Sequence, residues 1–183
     1  MGNAQTPPKD GTYEVYLHDG AVKRVENYKA GKLNGTTKEY DSKGELLTEY
    51  DFSDGKHTFT KNYCFQKNGE KYLCLETIFD DNEKIKFMKS YNSNGSVIGE
   101  TEYFAGNKAR EKTFNDDGTL HYDITYQDIT MIDRLAYWPN GKLMSRDVVS
   151  QDGTVLVVEG YDQQGILISR KENKIKPIQL NNG

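Results

Sequence analysis

The heptapeptide Tyr91-Asn-Ser-Asn-Gly95-Ser-Val97 shows the sequence pattern that decides the fold: an aromatic residue, three polar residues, a glycine, any residue and an aliphatic residue. Further copies, some less regular, lie at residues 16–22, 40–46, 65–72, 114–120, 137–143 and 161–167. Consecutive copies carry their glycines 23 to 26 residues apart, at Gly20, Gly44, Gly69, Gly95, Gly118, Gly141 and Gly165. A nearly constant period predicts a repeat architecture in which each unit packs against its neighbours.

Weaker turn signals lie half a period after these glycines, so a turn arrives about every 12 residues, as in strands joined by hairpins. Four of them are glycines, and two positions carry another residue where a glycine would stand: Gly31, Gly55, Gly106 and Gly153, then Glu83 and Thr130. Asn-Gly and Asp-Gly dipeptides at many of the turns supply the positive φ that tight hairpins need. Pro139 is the only proline between Lys9 and Lys176, which fits a chain whose backbone N–H groups are used in strand pairing.

Between the turns, apolar and polar residues alternate. Leu120, Tyr122, Ile124 and Tyr126 are separated by polar or charged residues, and helical spacing is absent. Alternation with period two is typical of a β-strand with one buried face. The sequence therefore predicts an all-β fold, with about 14 short antiparallel strands in a hairpin meander that forms one elongated, twisted sheet.

The composition limits the thickness of the core and the class of partner. Hydrophobic residues make up 35% of the 183 residues, too few for a thick three-layer core. The formal net charge is -4, and the 24 basic and 28 acidic residues are mixed along the chain, so no basic stripe indicates nucleic-acid binding. No apolar run approaches the roughly 20 residues of a transmembrane helix. We expect a thin sheet, with neither a nucleic-acid partner nor a transmembrane segment.

The ends of the chain differ from its repetitive body. Pro7 and Pro8 favour an extended backbone near the beginning, while Pro177 and several asparagines lie near the end. We expect a flexible leader, or the start of a mature chain, at residues 1–10. A single repeat domain at residues 11–172 and a C-terminal tail at residues 173–183 follow.

Patterns typical of catalysis and metal binding are missing from the sequence. His18, His57 and His121 lie far apart and form no metal-ligand motif. The acidic turns lack the alternating ligand spacing of a calcium loop, and neither a nucleophile elbow nor a phosphate-binding loop occurs. We therefore expect no enzymatic activity, no cofactor and no metal.

Cys64 and Cys74 flank the turn at Asn68-Gly69, so a hairpin centred there would bring them nearly opposite each other. A disulfide between them would close that hairpin in an oxidising compartment. The alternative is a pair of small, half-buried cysteines. Together with the leader, the cysteines favour an exported protein, either periplasmic, envelope-anchored or secreted, over a cytoplasmic one.

Three stretches carry a resemblance to a known family. They are Tyr28-Lys-Ala-Gly31-Lys-Leu-Asn-Gly35, Lys38-Glu-Tyr40-Asp-Ser-Lys-Gly44-Glu-Leu46 and Tyr137-Trp-Pro-Asn-Gly141-Lys-Leu143-Met-Ser145. They resemble the bacterial variant of MORN repeats, a family often labelled YwqK-type antitoxin, over residues 11–171. The resemblance implies a non-catalytic sheet of hairpins in antitoxin-like or cell-envelope proteins, with no catalytic residues and no cofactor.

These observations favour a protein-interaction module of the antitoxin, immunity or cell-envelope type, whose partner is a toxin or an envelope component. Trp138 and Tyr137 are the candidate contact residues, since exposed aromatic side chains often anchor interfaces; local packing is the alternative for Trp138. Two other functions stay open: a structural surface spacer, and a carbohydrate- or lipid-binding repeat domain. The terminal strands near residues 12–17 and 167–171 are expected to be protected by charge or by the tail; without that protection they would pair two copies of the chain.

Overall fold

The computed structural model describes residues 7–127 and 129–176. These residues form β-strands and turns and contain no helix. They make up two compact units: unit 1 lies within Met1–Ile85 and Ser93–Gly95, and unit 2 lies within Lys86–Asn92 and Ser96–Gly183. The prediction of an all-β, antiparallel fold is confirmed.

Fifteen strands are present in the described residues. Unit 1 contains β1 (Gly11–Tyr16), β2 (Val22–Lys29), β3 (Lys32–Leu33), β4 (Gly35–Tyr40), β5 (Leu46–Ser53), β6 (Lys56–Phe65) and β7 (Lys71–Phe79). Unit 2 contains β8 (Ile85–Tyr91), β9 (Val97–Phe104), β10 (Asn107–Phe114), β11 (Leu120–Gln127), β12 (Thr130–Tyr137), β13 (Leu143–Val149), β14 (Val155–Tyr161) and β15 (Leu167–Lys174). The first residue of β8, Ile85, is assigned to unit 1.

Within each unit the strands follow one another in the order of the chain. In unit 1 the hydrogen-bonded order is β1-β2-β4-β5-β6-β7, and the two-residue β3 pairs with β2. In unit 2 the order runs from β8 to β15 without a crossover. Neighbouring strands are antiparallel, so each unit is the hairpin meander that the turn spacing predicts.

The aromatic and aliphatic residues of the sequence pattern face each other across the base of the hairpin. Six described hairpins show this pairing: Tyr16 with Val22, Tyr40 with Leu46, Tyr91 with Val97, Phe114 with Leu120, Tyr137 with Leu143 and Tyr161 with Leu167. In each of them the register shifts between the aromatic residue and the residue before it, which marks a β-bulge next to the turn. The pattern therefore sets both the turn and the register of the strands beside it.

Gly118 shows why the pattern needs a glycine. Its φ is 83°, and its N–H donates to the carbonyl of Asn115 at 2.9 Å, which closes a three-residue loop. A side chain at positive φ is strained, and glycine avoids that cost. Glu83, which stands at the corresponding place without a glycine, also has a positive φ, 59°. Thr130 differs, because it is the first residue of β12.

Three of the turns at half a period are shorter. In three of them two consecutive residues have positive φ: Ala30 and Gly31, Asp54 and Gly55, and Ala105 and Gly106. Positive φ at both central residues is the signature of a two-residue type I′ hairpin, whose twist matches that of the flanking strands. From β1 to β7, unit 1 thus alternates between three-residue and two-residue turns, whereas the half-period turn at Glu83 has three residues.

Each unit is thin, as the composition predicts. Among the described residues, Ala136 is the only buried hydrophobic residue. Apart from Gly153, the other buried residues are polar or charged: Glu26, Thr37, Thr48, Thr60, Thr77 and Asp123. Each unit therefore lacks a core of large buried apolar side chains.

The first and last strands begin and end close to the predicted boundaries of the repeat domain. β1 begins at Gly11, where the repeat domain was expected to begin. At the other end, β15 continues to Lys174, two residues past the expected boundary, and the N–H of Ile175 donates to the carbonyl of Thr154 at 2.9 Å. Residues 1–6 of the expected leader and 177–183 of the expected tail lie outside the described residues. The single domain stays a prediction.

Candidate functional site

A cavity of about 270 Å³ opens in unit 1 and collects side chains from five strands. β2 and β3 contribute Arg24, Glu26 and Leu33, and β4 to β6 contribute Thr37, Glu39, Tyr50, Phe52 and His57. These side chains include one guanidinium, two carboxylates, a hydroxyl, a phenol and two further rings. This mixture of polar and aromatic groups in one concave place is typical of a small-molecule site.

The strand register explains why these side chains meet. Arg24 lies opposite Glu39, and Phe52 lies opposite His57. Thr37 lies opposite Tyr50 on the next strand. Directly opposed residues of an antiparallel pair point to the same face of the sheet, so one face of unit 1 presents all of them together.

The aromatic wall of the cavity is built around His57. Its ring centroid lies 5.2 Å from that of Phe52 and 5.7 Å from that of Tyr50. Outside the cavity lining, Phe79 supports the same ring at 4.1 Å. The Nε2 atom of His57 lies 2.7 Å from the Thr60 hydroxyl oxygen, so the ring is held in place by packing and by a polar contact.

The charged groups of the cavity are only partly compensated. Arg24 forms an ion pair with Glu26 at 2.5 Å, in which the Glu26 side chain is 6% exposed and the Arg24 side chain 42%. Glu39 accepts a hydrogen bond from the Tyr50 hydroxyl at 3.0 Å. Burial and then the bond to Glu39 raise the pKa of the Tyr50 phenol. One positive and two negative side chains leave the cavity with a formal charge of one negative unit.

Two buried polar atoms at the cavity have no hydrogen-bond partner among the described residues: Nε of Arg24 and Oγ1 of Thr37. Thr37 is only 3% exposed, so bulk water does not compensate its hydroxyl. An unpaired buried donor or acceptor costs about 1–3 kcal/mol. Two residues that line the cavity therefore carry unused hydrogen-bonding capacity at atoms that are themselves buried.

A tyrosine hydroxyl donating to a glutamate carboxylate recurs along the chain. The pairs are Tyr16 with Glu14, Tyr28 with Glu26, Tyr50 with Glu39, Tyr63 with Glu49, Tyr126 with Glu111 and Tyr161 with Glu159. Burial first, and then the bond to glutamate, raises the pKa of both Tyr63 and Tyr126 to about 12. These pairs anchor phenol rings to carboxylates of the sheet.

Unit 2 carries arginine–aspartate pairs across its strands. Arg110 donates to both carboxylate oxygens of Asp123, at 2.7 and 2.5 Å, and Arg146 donates to both oxygens of Asp133, at 3.2 and 2.8 Å. The bond to Asp123 raises the pKa of Arg110. Two-point pairing fixes the relative position of adjacent strands, and these residues are structural ties rather than a ligand site.

Cys64 and Cys74 form a disulfide in the structure, with their Cα atoms 5.6 Å apart. It closes the hairpin of β6 and β7, as one of the two alternatives drawn from the sequence anticipates. Cys64 lies directly opposite Tyr72, and the register shift between Asn62 and Tyr63 leaves Cys74 in the bulge. The bond joins two strands and lies outside the cavity.

Tyr137 and Trp138, the predicted contact residues, lie half-buried at the end of β12. The indole N–H of Trp138 donates to the carbonyl of Tyr161 at 3.2 Å, which ties its turn to the next turn along the rim. Burial, and then the negative charge of Asp123, raises the pKa of Tyr137. The indole thus has a local structural role, and contact of either residue with a partner stays a prediction.

Three consecutive exposed aliphatic residues, Ile166-Leu167-Ile168, lie where β15 begins in unit 2. The three residues are 62%, 47% and 67% exposed. Every residue of β15 is exposed, and among the described residues the strand pairs only with β14. An exposed strand edge with aliphatic side chains is a surface to which another strand can be added.

In residues 7–127 and 129–176, no group of three or more histidine, cysteine, aspartate or glutamate side chains is arranged to hold a metal ion. Within the same residues, no helix is long and apolar enough to cross a membrane.

Sequence reasoning missed the cavity in unit 1. It considered His57 only as a metal ligand and gave no role to Arg24, Thr37, Glu39 or Tyr50. The available signal was the alternation in β4 and β5, which places Thr37, Glu39 and Tyr50 on one face once the hairpin register is known.

Comparison with known proteins assigns no family. No model of a known family matches the chain, and no curated protein matches it. Among solved structures, it is similar to a mutant of S. aureus TarM in complex with Fondaparinux, alpha-GlcNAc-glycerol and UDP, with 14% identity and a TM-score of 0.40 over 67% of this chain and 21% of that chain. A second crystal structure of TarM gives 15% identity and a TM-score of 0.38 over 63% and 19%. The chain thus spans about a fifth of these proteins, and at such scores the similarity indicates neither a fold family nor an activity.

Proposed function

We propose that this chain is a non-enzymatic β-repeat module that binds a protein partner by adding a strand to the outer edge of β15. The MORN-variant resemblance supports a toxin or a cell-envelope component as that partner. The disulfide of Cys64 and Cys74 supports an oxidising compartment, and hence an exported protein.

The full exposure of β15 is the observation that carries this proposal. Strand addition gains affinity from backbone hydrogen bonds and specificity from alternate side chains. Ile168 offers an apolar contact, while Arg170, Lys171 and Lys174 outnumber Glu172 among the charged residues of the strand. The complementary partner is a strand with aliphatic and acidic side chains.

The same charges disfavour pairing of β15 with a second copy of itself. Three basic residues against one acidic residue give the strand a net positive charge, and like charges opposite each other destabilise a strand pair. We therefore expect a monomer in light scattering, and a stable dimer paired through β15 would contradict the choice of a different protein as the partner.

The test begins with affinity purification on the intact chain, followed by titration calorimetry with the purified, identified partner. Ile168→Lys should weaken the one-to-one complex by about tenfold or more, because it removes an apolar contact at the edge. Ile98→Lys is the matched control, since Ile98 is 36% exposed but lies on β9, between β8 and β10. Equal affinities for the two variants would refute the proposal.

A further inference from the structure

We propose that the cavity of unit 1 binds a neutral saccharide, one sugar ring at a time. This inference concerns a small molecule and a different unit from β15, so it goes beyond the proposed function and does not depend on it. It rests on the charge of the cavity, on its unused hydrogen-bonding groups and on its aromatic wall.

The charge of the cavity excludes an anionic ligand. Glu26 is compensated by Arg24, but among the described residues Glu39 has only the Tyr50 hydroxyl as a hydrogen-bond partner. A phosphate or carboxylate group would therefore meet a site with a net negative charge, where like charges repel.

The unpaired groups exclude a ligand that can only donate hydrogen bonds. Nε of Arg24 is a donor without an acceptor among the described residues, and the Thr37 hydroxyl has no partner there either. An ammonium group would satisfy Glu39 but would leave the Arg24 donor unpaired. Hydroxyl groups both donate and accept, so a ring with several of them serves the Glu39 carboxylate and the Arg24 guanidinium together.

The Arg24 side chain can adjust to such a ligand. It is 42% exposed, and it is held to Glu26 through Nη2 rather than through Nε. Rotation of the guanidinium would turn Nε towards the cavity while the Glu26 carboxylate stays beside another nitrogen of the group.

The aromatic wall and the size of the cavity fit one sugar ring. A sugar presents an apolar C–H face as well as its hydroxyl edge, and the aromatic side chains of Tyr50 and Phe52 in the cavity wall offer apolar contact for that face. The cavity volume of about 270 Å³ lies just below the roughly 300–1,000 Å³ of drug-sized ligand sites, which suits a monosaccharide unit better than a long chain.

The test uses saturation-transfer NMR on the intact, oxidised protein, with glucose, N-acetylglucosamine, maltose and chitobiose as the probes at millimolar concentration. Choline and methyl phosphate are measured in parallel as a cation and an anion, since both carry the C–H protons that the experiment detects. We expect transfer to the C–H protons of at least one sugar and none to choline or methyl phosphate. Absence of transfer to all four sugars, or binding of choline or methyl phosphate instead, would overturn the proposal.

Variants then locate the bound sugar. Glu39→Gln keeps the shape of the side chain but removes the charge, and it should weaken the best sugar by about tenfold. Glu49→Gln is the matched control: Glu49 accepts the same kind of bond, from Tyr63 at 2.8 Å, but does not line the cavity. Tyr50→Phe and Tyr63→Phe form a second matched pair. They test the same assignment if Glu39→Gln or Glu49→Gln does not fold. Equal loss of binding in both members of each pair would contradict the assignment to this cavity.

The two proposals fail independently. Glu39→Gln should leave binding of the protein partner unchanged, and Ile168→Lys should leave sugar binding unchanged. Loss of sugar binding in Ile168→Lys would place the sugar site at β15 rather than in the cavity, which would refute the inference.

Discussion

Reduction of the disulfide of Cys64 and Cys74 should lower the stability of unit 1 by a calculable amount. The bond joins residues separated by 10 positions. The loop-closure relation for a loop of this length gives an entropy of about 9 cal/mol/K, or about 2.7 kcal/mol at 25 °C. For a chain of this size, that corresponds to a fall in Tm of roughly 5–10 °C. The loss arises in the unfolded chain, which explores more conformations when the cross-link is gone.

The assay is urea unfolding followed by circular dichroism, with and without a phosphine reductant. The double variant Cys64→Ser, Cys74→Ser serves as the control, since the reductant should not change its stability. A difference below about 0.5 kcal/mol between oxidised and reduced wild type would refute the reasoning, because ordinary surface changes have that size. Labelling of two thiols in protein purified without reductant would refute it as well.

Three further predictions concern the turns, the charge pairs and the phenols. Ala105→Gly should raise stability by about 0.5–1 kcal/mol in thermal unfolding, because Ala105 has a φ of 50° in a two-residue turn. Asp123→Asn should lower stability by about 1–2 kcal/mol, because the 7%-exposed Asp123 accepts two bonds from Arg110, whose own side chain is 44% exposed. Folding raises the pKa values of the Tyr63 and Tyr126 phenols from 10.0 to about 12. The contribution of these two neutral phenols to the free energy of unfolding should therefore be complete below pH 10.0 and be lost as the pH approaches about 12. Urea unfolding at a series of alkaline pH values checks this.

Each of these predictions has a matched control. Ala109→Gly lies in β10 rather than in the turn and should lower stability by about 0.5–1 kcal/mol. Asp54→Asn breaks the exposed pair with Lys32 and should change stability by less than about 1 kcal/mol. Glu49→Gln should move the phenolate titration of Tyr63 back towards pH 10.0. The explanation for the turn would be contradicted if Ala109→Gly raised stability. The explanation for the charge pairs would be contradicted if Asp54→Asn lost more stability than Asp123→Asn. The explanation for the phenols would be contradicted if Glu49→Gln left the Tyr63 titration unchanged.

The fold was predictable because the signals for the turns are local. A glycine at positive φ, followed two residues later by an aliphatic side chain, defines a hairpin within seven residues, as Tyr91 to Val97 shows. The position of Glu83 was predicted from the period alone, and it does adopt the turn conformation there. The strand count differs by one from the expected number because β3 has only two residues and no alternation to reveal it.

The cavity could not be predicted because it depends on register across several hairpins. Arg24 and Glu39 are brought face to face by the pairing of β2 with β4, which skips the short β3. Bulges then shift the register, as between Asp51 and Phe52, and each shift changes which residues share a face. Such register shifts cannot be inferred from the composition or from the spacing of the turns. The disulfide, by contrast, was open to prediction because it spans a single turn.

The seven-residue pattern sets the register of the six hairpins that carry it in full, with the aromatic residue opposite the aliphatic residue that ends the pattern. Nuclear Overhauser contacts between backbone protons across the strands report this register. We expect contacts of Tyr40 with Leu46, Tyr91 with Val97 and Tyr161 with Leu167. Partners displaced by one residue in these pairs, or the sequential contacts of a helix along the same stretches, would contradict it.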